Sequence, residues 1–351
     1  MKKLRIGIIG TGNIAGFHRD GYLEVPYCEI VALCDLKEEK ARKFAELCRD
    51  CKPNIYTDYH EMLAKENLDA VSVTTWNAEH KNAAVAALRA GVNVLCEKPM
   101  AMNAKEAMEM KQAAEESGKL LQIGFVRRFG PDCESAKEFI ESGKAGDIYY
   151  GKVSYLRRNG CPGGWFADKA YAGGGPLIDL GVHVMDLARY LAGCPKPVAV
   201  YGATFSNIGH LRNGAKAWVA EDGDYKADVE DFASAYIRFD NGFLLHVEAS
   251  FNLNIKQDGG EIELFGTKAG IKLGAPNEYY CADGTDGQMI PEDGRVGMDF
   301  GQIFRDELRS FAESVAEGKP CRAPAEDGVV LMQMIDAIYE SARTGHEVAI
   351  G

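Results

Sequence analysis

Lys98, Asp179 and His183 are the side chains best suited to moving a proton and stabilising charge on an oxygen. Asp179 and His183 stand four residues apart in GGGPLIDLGVH, residues 173–183. On a helix, such positions share a face one turn apart. A carboxylate and an imidazole would then project together from one rigid element. Imidazole exchanges a proton near neutral pH, and a carboxylate can hold it in the right tautomer. The glycines would let the backbone pass close to a bound ligand. The bland alternative is a glycine-rich turn before a core helix with one buried histidine. Lys98 lies in NVLCEKP, residues 93–99, which reads as a strand with Glu97, Lys98 and Pro99 at its carboxyl end. Ligands of open α/β sheets bind outside such ends. Pro99 keeps Lys98 out of helical geometry, so its ammonium can project into a crevice; the alternative is a surface lysine in a loop.

These groups need a scaffold, and its clearest part is the N-terminus. Leu4–Ile9 reads as a buried strand and runs into GTGNIA, residues 10–15. This is G-x-G-x-x-A, the dinucleotide-binding pattern. Gly10 permits the tight turn, Gly12 lets the backbone approach a pyrophosphate, and Ala15 allows close helix–strand packing. Asn13 and Ile14 open a helix whose N–H groups and positive dipole end favour phosphate. A second strand, residues 29–34, ends in Asp35, placed to bond the adenosine ribose hydroxyls. A carboxylate there repels a 2′-phosphate, so NAD is expected over NADP.

With a nicotinamide cofactor the triad acquires a reaction. Hydride leaves a carbinol carbon while the hydroxyl loses its proton to a base. His183 is the expected base, oriented by Asp179. Lys98 would stabilise negative charge on the oxygen and lower the pKa of His183 by like-charge repulsion. Asp186, one turn on, would complete a metal set with Asp179 and His183, but hydride transfer needs no metal and none is expected. Substrate contacts are expected from Lys98, Asp179 and His183 and from the glycine-rich loop 157–169, through Arg157, Trp165 and Lys169. That loop offers donors, acceptors and an aromatic plate, as a polyol site requires.

Residues 1–125 alternate strands (Leu4–Ile9, 29–34, 69–75, 93–96, 120–125) with helices (38–48, 78–90, Ala104–Ser117). This is the pattern of an α/β doubly wound parallel sheet, expected to be a Rossmann NAD-binding domain. Residues 126–351 read as an α+β domain for substrate binding, catalysis and oligomerisation. It has a helix at 133–141, a strand at Ile148–Leu156, the Asp179/His183 helix and a large, mostly antiparallel sheet. DNGF at 240–243 is a hairpin turn, and 266–270 looks like another. Residues 274–297 read as an irregular surface segment.

The 351 residues suit two domains, and 46% hydrophobic content can fill their cores. The net charge of −12 argues against nucleic acid and anionic membranes as partners. The start, MKKLRIGIIG, is basic then apolar like a signal peptide, but its apolar run is the first sheet strand, so a cytoplasmic location is expected. Ten cysteines are scattered. Cys34 and Cys96 sit in apolar strands, and the C-x-x-C at Cys48 and Cys51 lacks a second ligand pair for zinc.

In the order and spacing of its motifs the chain resembles the glucose–fructose oxidoreductase / inositol dehydrogenase / MocA (Gfo/Idh/MocA) family of NAD(P)-dependent oxidoreductases, over essentially its whole length. The family's G-x-G-x-x-A/G lies at Gly10 to Ala15, its E-K-P at Glu97 to Pro99, and its G-G-x-x-x-D-x-G-x-H at Gly174 to His183. Residues 325–348 resemble its closing helix. The departure is Trp76, where the family has proline. The resemblance implies cofactor contacts at Trp76, Asn77, His80, Glu97 and Arg128, and catalytic roles for Lys98, Asp179 and His183. It implies an NAD-dependent dehydrogenase of a cyclic polyol or sugar, homodimeric or homotetrameric through the C-terminal sheet. Relatives also include glycosidases that retain NAD and catalytically silent sensors. The presence of all three catalytic residues here speaks against a sensor.

Overall fold

The computed structural model describes residues 3–211, 225–290, 294–295 and 297–351. They form two compact units, Met1–Phe129 with Asp299–Val329, and Gly130–Met298 with Val330–Gly351.

In the first unit, β1 (Leu4–Ile9), α1 (Asn13–Leu23), β2 (Cys28–Cys34), α2 (Glu38–Ala45), β3 (Asn54–Tyr56), α3 (Tyr59–Lys65), β4 (Ala70–Val73), α4 (Asn77–Arg89), β5 (Asn93–Glu97), α5 (Ala104–Ser117) and β6 (Leu121–Gly124) follow in order. The strands pair in parallel as β3-β2-β1-β4-β5-β6, the doubly wound order that reverses beside β1. β4 and β6 are buried at every position, as a sheet covered on both faces requires. The expected strands are all present. β3 went unread because three half-exposed residues carry no periodicity.

The second unit contains α6 (Pro131–Glu141), β7 (Ile148–Leu156), α7 (Lys169–Ala172), α8 (Val182–Leu191), β8 (Pro197–Phe205), β9 (Phe232–Phe239), β10 (Leu244–Ser250), β11 (Gly259–Gly266), β12 (Ala269–Lys272), β13 (Asn277–Cys281) and β14 (Gly287–Met289). Then come α9 (Phe300–Glu317), which belongs to the first unit, α10 (Ala325–Thr344), in which the division between units falls, and β15 (Val348–Ala349). The nine-stranded sheet is antiparallel except where β7 pairs with β10. Both expected hairpins are present, as β9–β10 and β11–β12. The expectation of an irregular 274–297 is corrected. Within the described residues this segment supplies β13, which pairs with β12, and β14, which pairs with β13. Its polar, glycine-rich composition hid two short strands at one end of the sheet.

Burial alternates along β9. Its inward face is core, and its outward face belongs to an aromatic surface. Tyr201, Tyr236 and His246 are paired across β8, β9 and β10, and the last two rings stack at 4.5 Å. Phe205 with Phe232, and Tyr150 with Phe265, add further stacks. Among the described residues no helix is long and apolar enough to cross a membrane.

Candidate active site residues in each unit

In the first unit the glycine loop leaves β1. Gly10 has φ +91°, and a Cβ on it would lie 2.7 Å from the Thr74 carbonyl oxygen, so the protein itself demands glycine here. Gly12 is different. It is the N-cap of α1, no side chain caps that helix, and a Cβ built on it meets nothing within 4 Å. The first N–H groups of a helix have no intrahelical acceptors. Those of the α1 start, with Asn13 and Ile14, are therefore of the kind that suits a phosphate. Ala15 is fully buried, consistent with its packing role.

Asp35 stands directly after β2. Its Oδ2 accepts from Thr11 N at 3.0 Å and Thr11 Oγ1 at 2.8 Å, and its Oδ1 accepts from Lys37 N at 2.9 Å. A carboxylate has about four acceptor positions, so about one remains for a ribose hydroxyl. The Thr11 contact was not anticipated. A threonine in the variable position of the loop is its only sequence signal.

Trp76 is the N-cap of α4 and Asn77 is buried. The buried His80 ring lies between two carbonyl oxygens, with Nδ1 2.7 Å from Pro99 O and Nε2 3.1 Å from Thr75 O. Burial pushes its pKa down, the two carbonyl contacts oppose that shift, and the ring bridges the loops after β4 and β5. Glu97 points inward. Its Oε1 lies 2.9 Å from His18 Nε2, and its Oε2 accepts from Lys98 N at 3.2 Å. His18 continues to Ser72, and Ser72 to the Tyr22 hydroxyl. The Lys98–Pro99 peptide is cis. Sequence reasoning missed His18, because a histidine inside a helix looks like any core residue. It also missed Glu307 of α9, fully buried with neither carboxylate oxygen hydrogen-bonded. Burial, reinforced by the Glu97 charge, pushes the Glu307 pKa well up. Arg128, also fully buried, bonds Asp327 and the Arg322 carbonyl at 2.8 Å, and lies 5.1 Å from the Phe125 ring centroid.

In the second unit, Gly173 ends α7 with φ +84°. A Cβ on Gly174 would lie 1.9 Å from the Tyr339 hydroxyl, and one on Gly175 2.4 Å from the Glu230 carbonyl oxygen. The expectation that these glycines let a ligand approach is corrected. At Gly174 and Gly175 the close neighbour is the protein. The Glu230 carboxylate accepts from Gly175 N at 2.9 Å, Leu177 N at 3.2 Å and the Tyr339 hydroxyl at 3.0 Å.

The Asp179/His183 helix is also not uniform. Asp179 lies in a π-turn, Leu177–Gly181, and His183 is the second residue of α8. Such π-turns are rare and concentrate at functional sites. Asp179 and Asp186 are buried, whereas His183 is partly exposed, which sets aside the buried-histidine alternative. The half-buried Cys161 thiol faces Asp179, Asp231 and Arg157, and burial pushes its pKa up.

In the expected substrate loop, Trp165 and Phe166 stack with ring centroids 3.8 Å apart, and neither is buried. They form a double aromatic plate. Arg157 folds onto its own loop, donating to Gly160 O at 2.9 Å. Lys169 Nζ lies 5.7 Å from the Tyr339 ring centroid.

Two family descriptions match this chain. Residues 4–125 match the NAD-binding Rossmann fold of an oxidoreductase family, and residues 137–350 match its C-terminal alpha/beta domain. The chain belongs to the Gfo/Idh/MocA oxidoreductase family. It is 35% identical to the D-glucoside 3-dehydrogenase of Escherichia coli K12, over 99% of this chain and 97% of that protein. It is 28% identical to the scyllo-inositol 2-dehydrogenase (NAD(+)) of Bacillus subtilis 168, over 99% and 96%. A solved structure of levoglucosan dehydrogenase with NADH and levoglucosan superposes with a TM-score of 0.86 at 25% identity, covering 99% of this chain and all of that one.

Proposed function

We propose that this oxidoreductase is an NAD-dependent dehydrogenase that moves a hydride between a secondary carbinol of a cyclic sugar or polyol and nicotinamide. The observation that carries the reading is the uncapped, open start of α1 beside Asp35, in a chain matched end to end by sugar and inositol dehydrogenases. Bound NAD supplies the hydride acceptor. Gly10, Gly12, Asn13 and Ile14 hold its pyrophosphate, and Asp35 holds the ribose and repels a 2′-phosphate. Trp76, Asn77, His80, Glu97 and Arg128 shape the rest of the cofactor site. His80 does so by bracing the Lys98–Pro99 loop, Glu97 from beneath Lys98, and Arg128 by fastening residues 126–129 to the start of α10.

His183 takes the hydroxyl proton, Asp179 orients its ring, and Lys98 stabilises the oxygen as charge develops on it. The Trp165–Phe166 plate packs the C–H face of a sugar ring, and Arg157 and Lys169 bind its hydroxyls. Residues 1–125 are the cofactor domain, and 126–351 bind substrate and oligomerise. The aromatic face of the large sheet joins copies into a dimer or tetramer, and the enzyme works in the cytoplasm.

The test is a panel of pyranosides, free sugars and inositols with NAD, following NADH absorbance and glycoside cleavage in parallel. NADH formation with a pyranoside or inositol is the expected result. Cleavage with no net NADH would replace dehydrogenation by NAD-retaining glycoside hydrolysis, and silence across the panel would overturn the reading.

A further inference from the structure

We propose that Glu230 and Tyr339 are positioning residues that fix the π-turn carrying Asp179 and so set how its carboxylate meets His183. The inference rests on the roles given above to Asp179 and His183. A helix start leaves N–H groups without partners, and a neighbouring Ser, Thr, Asp or Asn usually caps them. Here a carboxylate from far along the chain does so. Glu230 Oε2 takes Gly175 N, and Oε1 takes both Leu177 N and the Tyr339 hydroxyl. Leu177 is the first residue of the π-turn. Asp179 N donates to Gly175 O at 3.1 Å, so Asp179 hangs from the residue whose own N–H Glu230 grips.

A π-turn departs from regular helical bonding and persists where its surroundings hold it. Tyr339 supplies the second hold. Its hydroxyl lies against Gly174 too closely for any side chain there, and its ring underlies the Lys169 ammonium. Burial and the adjoining Glu230 push its pKa well up, so it stays a neutral donor. The adjacent acid does not share this task. Asp231 accepts from Ile208 N, Gly209 N and Asn252 Nδ2.

The readout is the titration of His183 itself, which needs no substrate. The seven histidines are followed by NMR, and the His183 signal is assigned by its loss in His183→Ala. Glu230→Gln turns one acceptor oxygen into an amide NH2 facing a hydrogen-bond donor, and Tyr339→Phe removes one donor. Cys161, which faces Asp179, and Asp336, which lies near Tyr339, are unaltered in both. The expected result is a His183 pKa lowered by about 0.5 unit or more in Glu230→Gln and by less in Tyr339→Phe, because a displaced carboxylate stabilises imidazolium less. NAD affinity should not change.

A His183 titration unchanged in both variants overturns the inference. If Glu230→Gln does not fold, Tyr339→Phe decides alone, and an unshifted His183 there overturns it equally. Turnover of methyl β-D-glucopyranoside with NAD separates the two levels. A His183→Ala enzyme that turns over normally defeats the proposed base, whereas an essential His183 with an unmoved pKa defeats only the positioning role.

Discussion

Two glycine motifs look alike in the sequence and differ in the structure. At Gly12 the space a side chain would occupy is empty, and the helix behind it has no side-chain cap. At Gly174 and Gly175 that space is filled by Tyr339 and Glu230, whose carboxylate caps the turn from afar. Glycine thus leaves open space in one unit and serves internal packing in the other. A glycine run shows that something comes close to the backbone; only the folded structure says what.

Substitutions can break or sharpen this contrast. The largest effect is expected at the residues proposed above to do the chemistry. Lys98→Met and His183→Ala should each lower turnover about 10²–10⁴-fold with NAD affinity little changed, measured by steady-state kinetics and NAD titration. Near-normal turnover in either would remove that residue from the mechanism. The glycines come next. Gly175→Ala should destabilise the second unit by about 1–3 kcal/mol through overpacking, seen as a lower melting temperature. Gly12→Ala should leave melting nearly unchanged and weaken NAD binding ~10-fold or more, roughly 1.4 kcal/mol. The reverse pattern would collapse the comparison.

A similar size is expected for cofactor choice. NAD should be preferred over NADP by at least ~10-fold, and Asp35→Ser should narrow the gap in paired kinetics. A wild-type preference for NADP would contradict the assignment of Asp35.

The smallest effect concerns Glu307. Its raised pKa means that the folded state keeps a proton which the unfolded chain releases at ordinary carboxylate pH. Stability then falls as pH rises from that value toward the folded pKa. Glu307→Gln carries no such penalty. Its melting temperature should therefore gain on the wild type by at least about 2 °C between pH 4.5 and pH 8. A gap that stays constant or narrows would mean that Glu307 is ionised in the fold.

Five strands of the parallel sheet were legible because they are short apolar runs, β1 closed by Gly10 and β5 by Pro99, and Ala104–Ser117 even has its helix bounds in the sequence. The hairpin at Asn241-Gly242 was legible for the same local reason. The π-turn was not, since LIDLGVH satisfies an α-helical period equally well. The Glu97–His18–Ser72–Tyr22 chain and the Glu230 cap were not legible either, because each joins residues fifty or more positions apart. Periodicity reports which face of an element is apolar and says nothing of which distant polar group meets it. The same limit applies to α9. Its apolar face is readable, but its partner is not.

That partner has a consequence for how the protein is made. The Rossmann unit includes Asp299–Val329. Phe304 stacks on Phe17 at 4.7 Å, Leu308 fills the space over Gly21, and Asp327 neutralises the buried Arg128. When Phe129 leaves the ribosome, two hundred residues must still be synthesised before Val329 follows, roughly 10–40 s at ~5–20 residues per second. Through that interval the nascent first unit lacks Phe304 and Leu308 against α1 and the Asp327 carboxylate at Arg128. It is the segment for which a chaperone, or a protease, has the longest opportunity.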